Sequence, residues 1–316
     1  MTLEEIISNA ISNHATDIHI EHSNLGIKIY QRCYGSLQKT ADLAQGTSLI
    51  NRIKMRANLD LSETRRTQEG QFLFEEKNRS TFIRVSIIAT VKGEKIALRL
   101  LPEKSRLALN NIGIQPPLLA ALNSTLNKPS GLILVCGATG AGKSTTLYSC
   151  LDLLNTGKKT IFTIEDPVEY EISGLFQCEP NPAIGLDSAA LLKSFLRQDP
   201  DVIMVGEVRD AVTANLAVNA ALTGHLVLAT LHTNSTLDAM HRCHGWQVDF
   251  FSLVSSLKLI IHQSMFYKAT SQRPIFNGLK PLWNESLPKD YDTLISNPAL
   301  WEAFPFQDSE VKNALV

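Results

Sequence analysis

One stretch constrains this 316-residue chain more than any other: Gly137, Ala138, Thr139, Gly140, Ala141, Gly142, Lys143 and Ser144 in direct succession. It follows an apolar run, Leu132 to Cys136, that reads as a buried strand. Thr145 to Leu154 behind it read as a helix. Strand, glycine-rich turn and helix in this order are the context of a phosphate loop. The glycines let backbone N–H groups crowd around a polyphosphate, and the helix start adds the positive end of its dipole. Residues Gly137 through Thr145 are therefore expected to cradle a nucleoside triphosphate. Lys143 would reach its β- and γ-phosphates, and the Ser144 hydroxyl would sit on Mg²⁺.

The rest of the chain is read around that loop. At 316 residues it exceeds what one compact domain usually needs, so two domains are expected. Apolar strands at 132–136, 160–164, 201–205 and 226–231 alternate with helical patterns, which implies a mainly parallel α/β sheet with its ligand at the carboxyl ends of the strands. Residues 1–103 have a different rhythm. Thr2 and Glu5 have capping-box spacing before a helix with Leu3, Ile6, Ile7, Ala10 and Ile11 on one face. Strands are expected at 17–21, 26–31, 82–88 and 95–101, with a helix near 47–58, which makes this an α+β domain. Residues 104–128 read as a linker leading into a short helix. Helices are expected to continue through 235–262, and the segment 246–316 is expected to be a helical C-terminal region after a core of 129–245.

Carboxylates are needed beside a phosphate loop, and two segments supply them. Glu165 and Asp166 follow one apolar strand; Glu207 and Asp210 follow another. Alone, each acid reads as a helix cap or a loop charge. Two clusters at two strand ends can hold Mg²⁺ and orient or deprotonate the attacking water. His225 and His232 flank the 226–231 strand, where a histidine is either structural or hydrogen-bonds the γ-phosphate.

Charge and cysteines exclude other classes. With 30 basic against 31 acidic residues there is no basic excess for a dedicated nucleic-acid binder. No apolar run approaches the ~18 residues of a membrane-crossing helix, and the N-terminus carries acids where a signal peptide carries Lys or Arg. A cytosolic protein is the expectation. The five cysteines form no C-x-x-C pair, and Cys136 and Cys150 fit small buried side chains. His19 and His22 fall on opposite faces of a strand, and His241, Cys243 and His244 have no second pair to complete a metal site.

Four blocks in this order resemble the secretion ATPase superfamily, the motors of type II secretion and type IV pilus systems: 137–144, 163–170, 196–210 and 223–234. They correspond to that family's Walker A, Asp box, Walker B and His box. The first domain resembles it too, at 15–21, 63–71 and 83–101, and looks more like the assembly and type II secretion branches than the retraction branch. The resemblance implies a PAS-like first domain followed by a RecA-like P-loop ATPase, with ATP and Mg²⁺ as ligands. It implies Glu207 as the Walker B acid at the metal and Glu165 as the polariser of the water. It also implies His225 and His232 as relays of nucleotide state, and Arg84 and Arg99 as arginine fingers. Periodicity alone leaves those two arginines equally open to being sheet-surface groups.

By the same resemblance the chain assembles as a homo-oligomeric ring of six and turns an inner-membrane platform protein. It would lie in the cytoplasm, peripheral at the inner membrane through partners and without direct nucleic-acid contact. Two further readings stand beside an assembly motor: an ATP-binding structural subunit with little turnover, and a retraction motor. Relative to the family this is expected to be a short form, without the N-terminal docking domain or four-cysteine zinc insertion, and with Ser264 where an arginine is usual.

Overall fold

The computed structural model describes residues 1–24, 26–44, 47–76, 79–102, 107–268, 271–283 and 287–306. The chain divides into two compact units: Met1–Ser105 with Tyr267–Gln272, and Arg106–Phe266 with Arg273–Val316.

In the first unit, helix α1 (Leu3–Ser12) begins at the expected capping box. The Thr2 hydroxyl accepts from the Glu5 N–H at 3.2 Å, and the Glu5 carboxylate accepts from the Thr2 N–H at 2.9 Å. Strands β1 (Ala15–Ser23), β2 (Gly26–Cys33) and β3 (Ser36–Leu43), helix α2 (Thr47–Arg56), and strands β4 (Gln68–Glu76), β5 (Arg79–Thr90) and β6 (Gly93–Pro102) follow. The sheet runs in the order β3-β2-β1-β6-β5-β4, antiparallel throughout. Leu3, Ile6 and Ile7 of α1 and Ile50 and Ile53 of α2 join Ile18, Ile20, Ile83, Val85 and Ile96 in one core. Each such side chain contributes roughly 1.5–3 kcal/mol by leaving water. The antiparallel sheet therefore has one covered face, and its residues alternate buried and open. Strands β3 and β4 were not expected, because β3 exposes nearly every side chain and so shows no alternation. Lys54 of α2 is 1% exposed and pairs with Glu94 at the start of β6 at 2.7 Å, a charge pair inside this core.

The second unit opens with helix α3 (Pro116–Leu126), whose Leu118, Leu122 and Leu126 are core residues, so the helix expected at the end of a linker belongs to the domain. Strand β7 (Gly131–Cys136), helix α4 (Lys143–Leu154), strands β8 (Ile161–Ile164) and β9 (Phe176–Cys178), and helix α5 (Ser188–Phe195) come next. Then follow strand β10 (Val202–Val205), helix α6 (Ala211–Leu222), strand β11 (Leu226–Leu231), and helices α7 (Thr236–Gly245) and α8 (Phe250–Ser256). Strands β12 (Leu257–Lys268) and β13 (Ser271–Pro281), helix α9 (Tyr291–Ser296) and strand β14 (Trp301–Phe304) end the described chain. The sheet order is β14-β13-β12-β7-β11-β10-β8-β9, with β12 through β9 parallel. Every residue of β7, β10 and β11 is buried. Alternate residues feed opposite cores: Leu132 and Leu134 point to one, Ile133 and Val135 to the other. Cys136 and Cys150 are buried as expected, and burial pushes their thiols up to about 11 and about 12.

The C-terminal part departs from expectation. Helix stops at Ser256, and Leu257–Lys268 is a strand paired in parallel with β7, so 246–316 is not a helical region. Leu259, Ile260 and Ile261 are fully buried between two layers, and a short apolar run of this kind reads equally as buried helix or buried strand. The two tail tryptophans are anchors. Trp283 Nε1 donates to Val254 O and Trp301 Nε1 to Leu294 O, both at 2.9 Å, with the rings edge to face.

Candidate nucleotide site

The phosphate loop leaves the carboxyl end of β7 and enters α4. Gly137 continues the pairing of β7 with β11, its N–H donating to Leu231 O at 3.2 Å. Its φ is +149°, and a Cβ there would lie 2.1 Å from Gln263 O of β12. Gly142 caps α4 at φ +87°, where a Cβ would meet Gln263 Nε2 at 2.7 Å. Glycine is required at both positions because the loop lies directly on β12. No side chain caps α4 and no acid occupies its first turn, so its N-terminal N–H groups are left for an anion. Gln263, 2% exposed, also accepts from Thr146 Oγ1 at 2.7 Å and so ties α4 to β12.

Lys143 Nζ donates to Gly137 O at 2.7 Å and Ala138 O at 2.9 Å, folding the side chain over its own loop. Burial lowers its pKa, opposed by the Glu207 carboxylate, which places that acid within the same field. Ala138, Thr139 and Gly140 are exposed along the loop, and Ala141 is buried beneath it. The side-chain hydroxyls of Ser144 and Thr145 have no partner among the described residues.

The acids occupy the neighbouring strand ends. Glu165, just after β8, is 5% exposed. Its Oε1 accepts from Thr163 Oγ1 at 2.6 Å and Gln177 Nε2 at 3.1 Å, and its Oε2 accepts from the Tyr148 hydroxyl of α4. Burial, then the bond to Glu165, raises the Tyr148 pKa, so the phenol is a donor at any working pH. Glu207, just after β10, is less enclosed. Arg209 Nε and Nη2 lie 2.7 Å from its Oε2, and His232 Nε2 lies 3.0 Å from its Oε1. Arg209 Nη1 reaches Asp166 Oδ2 at 2.8 Å. Burial, followed by the Lys143 charge, lowers the pKa of His232, favouring a neutral ring.

The structure thus brings the loop, Glu165, Glu207 and His232 to one edge of the sheet. It does not bring His225 there. His225 precedes β11 at the amino end, about 20 Å from His232 at ~3.3 Å per residue. Its Nδ1 lies 2.9 Å from Ala220 O, closing the turn from α6. A histidine on each side of a parallel strand must sit at opposite sheet edges, so only one can adjoin the loop in the same chain. Arg84 and Arg99 are carried by the first unit as cross-strand neighbours on the open sheet face, and Arg99 Nε donates to Asp17 Oδ1 at 2.9 Å. Sequence reasoning missed Tyr148, Thr163, Gln177, Arg209 and Gln263. Only Gln263, a polar residue inside an apolar run, left a local signal.

The family profile described as Type II/IV secretion system protein matches residues 1–283. The chain is 43% identical over 269 residues to the protein transport protein HofB homolog of Escherichia coli, covering 84% of this chain and 58% of that one. It is 40% identical over 279 residues to the type IV pilus assembly ATPase PilB of Acinetobacter baylyi, covering 86% and 48%. It is 39% identical over 299 residues to the type II secretion system protein E of Pectobacterium carotovorum, covering 94% and 60%. The chain thus spans about half to three fifths of the length of these relatives. Among solved structures, the pilus retraction motor PilT with bound ADP has a TM-score of 0.70 at 29% identity, covering 100% of this chain and 89% of that one. The Legionella pneumophila ATPase DotB, at TM-score 0.79 and 22% identity over 94% and 86%, shares the fold.

Proposed function

Because the chain belongs to the Type II/IV secretion system protein family, we propose that it is a Mg²⁺-dependent ATPase motor that drives assembly of a type IV pilus, a type II secretion pseudopilus or a DNA-uptake fibre. The observation that carries this reading is the uncapped N-terminus of α4 behind a glycine loop, with Lys143 on the loop and Glu165 and Glu207 on adjacent strand ends. PilB is named for pilus assembly and a solved PilT holds ADP, which supports ATP as the nucleotide here.

The N–H groups at the start of α4 bind the phosphates, and Lys143 exchanges the Gly137 and Ala138 carbonyls for phosphate oxygens. Ser144 and Glu207 offer the hydroxyl and carboxylate oxygens that Mg²⁺ takes. That ion, when bound, neutralises charge building on the phosphate oxygens. Glu165 orients the attacking water, which requires it to leave part of its cage of Tyr148, Thr163 and Gln177. His232 senses nucleotide state through Glu207. Arg84 and Arg99 act as fingers, which can be worth roughly 10³–10⁵ in rate. A ring of six copies docked on an inner-membrane platform protein completes the proposal. No helix among the described residues is long and apolar enough to cross a membrane.

The test is phosphate release from Mg²⁺-ATP across protein concentrations, with Lys143→Ala and Glu207→Gln alongside. Turnover that rises with concentration and falls at least about 100-fold in both variants is expected. ATP binding with no turnover at any concentration would replace the motor with an ATP-binding structural subunit. The 29% identity to PilT across the whole chain supports a second reading, a retraction motor with the same chemistry. Gene deletion separates the two: loss of fibres fits assembly, excess fibres fit retraction.

A further inference from the structure

We propose that Arg209 is a positioning residue that competes with the metal for Glu207 and is handed to Asp166 when the metal binds; the inference rests on the nucleotide reading above. One guanidinium spans carboxylates from two strand ends, with Nε and Nη2 on Glu207 Oε2 at 2.7 Å and Nη1 on Asp166 Oδ2 at 2.8 Å. His232 lies 3.0 Å from the other oxygen of Glu207. Both oxygens of the acid assigned to Mg²⁺ therefore have protein partners, and a guanidinium and a divalent cation are rivals for the same lone pairs.

The exchange is cheap because the partners differ. Asp166 and Arg209 are 59% and 60% exposed, whereas Glu207 is 27% exposed. When Glu207 turns to the metal, Arg209 keeps a hydrated carboxylate and is not left as an unpaired charge. A planar fork can hold two acids from fixed directions at once, which the point charge of a lysine does not reproduce. Arg209 thus sets the metal level at which the site fills and holds Glu207 in place until then.

Opposite signs follow for two substitutions. Arg209→Gln removes the rival, so Glu207 is open and the half-saturating metal concentration falls. Asp166→Asn removes the charge but keeps an amide oxygen, so Glu207 is the stronger of Arg209's two partners and the half-saturating concentration rises. Exposed pairs are weak, so each shift is expected to be about two- to five-fold. In the double variant Asp166 no longer matters, and its value should match Arg209→Gln.

The experiment is Mg²⁺ titration of the full chain holding a fluorescent N-methylanthraniloyl ADP, with half-saturation read from the fluorophore. The expected result is the fall, the rise and the double-variant match. An Arg209→Gln value equal to or above wild type, or the same direction of shift in both single variants, would overturn the competition and leave the nucleotide site standing. Absence of metal-dependent fluorescence in the wild-type chain would instead overturn the nucleotide reading and this inference with it.

Discussion

The two units solve the burial of a sheet in different ways. The first covers one face of an antiparallel sheet with α1 and α2, so Ile83 and Val85 are buried while Phe82 between β5 neighbours is 40% exposed. The second covers both faces of a parallel sheet, so adjacent residues such as Ile203 and Met204 lie in separate cores. Their charges differ in the same sense. The first unit buries its Lys54–Glu94 pair inside the core, and the second leaves Arg209 with Asp166 and Glu207 at an open sheet edge. A buried pair anchors an element, whereas an exposed pair is free to exchange partners with a ligand.

The largest expected effect tests that contrast. Glu94→Gln leaves the 1%-exposed Lys54 without its carboxylate and should cost about 3–5 kcal/mol in denaturant unfolding, whereas Arg209→Gln should cost under about 1 kcal/mol. Equal costs would break the distinction. Strand parity comes next. Ile203→Ala and Met204→Ala should each cost about 2–5 kcal/mol, as should Ile83→Ala. Phe82→Ala, which loses packing against its cross-strand neighbours Leu73 and Leu101 on the open face, should cost about 1 kcal/mol or less. A Met204→Ala value as small as that for Phe82→Ala would contradict a sheet covered on both faces.

Tyr148→Phe sharpens the picture at the site. It removes a donor from the buried Glu165 carboxylate and should lower stability by about 1–3 kcal/mol, seen in the same unfolding curves. The smallest effect is in pH. Burial lowers the pKa of His19, His232 and His262 below the ordinary 6.5, aided at His19 by Lys95 and at His232 by Lys143, and opposed at His262 by Asp238. Between the lowered values and 6.5 the unfolded chain binds more protons than the folded one, so stability is complete above about 6.5 and declines as pH falls below it. Melting temperatures at pH 7.5 and 5.5 measure the decline, and His262→Gln should reduce it. A higher melting temperature at pH 5.5 than at 7.5 would show that these rings are not held neutral.

Much of the second unit was legible because a parallel sheet writes itself as contiguous apolar runs and the phosphate loop is eight adjacent residues. β7, β8, β10 and β11 appear where the runs lie, and the acids of Glu165 and Glu207 fall on the edge that the runs imply. β3 was not legible, since an exposed edge strand has no pattern to show. β12 was misread as helix, because Leu259, Ile260 and Ile261 are buried on all sides and apolar in either periodicity. His225 was expected to relay nucleotide state from the family resemblance, but the length of β11 separates it from His232 and from the loop.

Sequence by itself determined the two-part organisation, the parallel sheet, the loop at the start of α4 and the strand-end acids, because each rests on residues adjacent in the chain. Tertiary structure alone decided which partners hold the loop helix and those acids. Gln263 meets Thr146 across 117 residues, and Arg209 meets Asp166 across 43. Neither pairing has a local period or spacing to announce it. The physical reason is that a parallel sheet gathers the ends of strands far apart in sequence onto one edge, and only the strand order, β12 beside β7 and β10 beside β8, sets which side chains meet there.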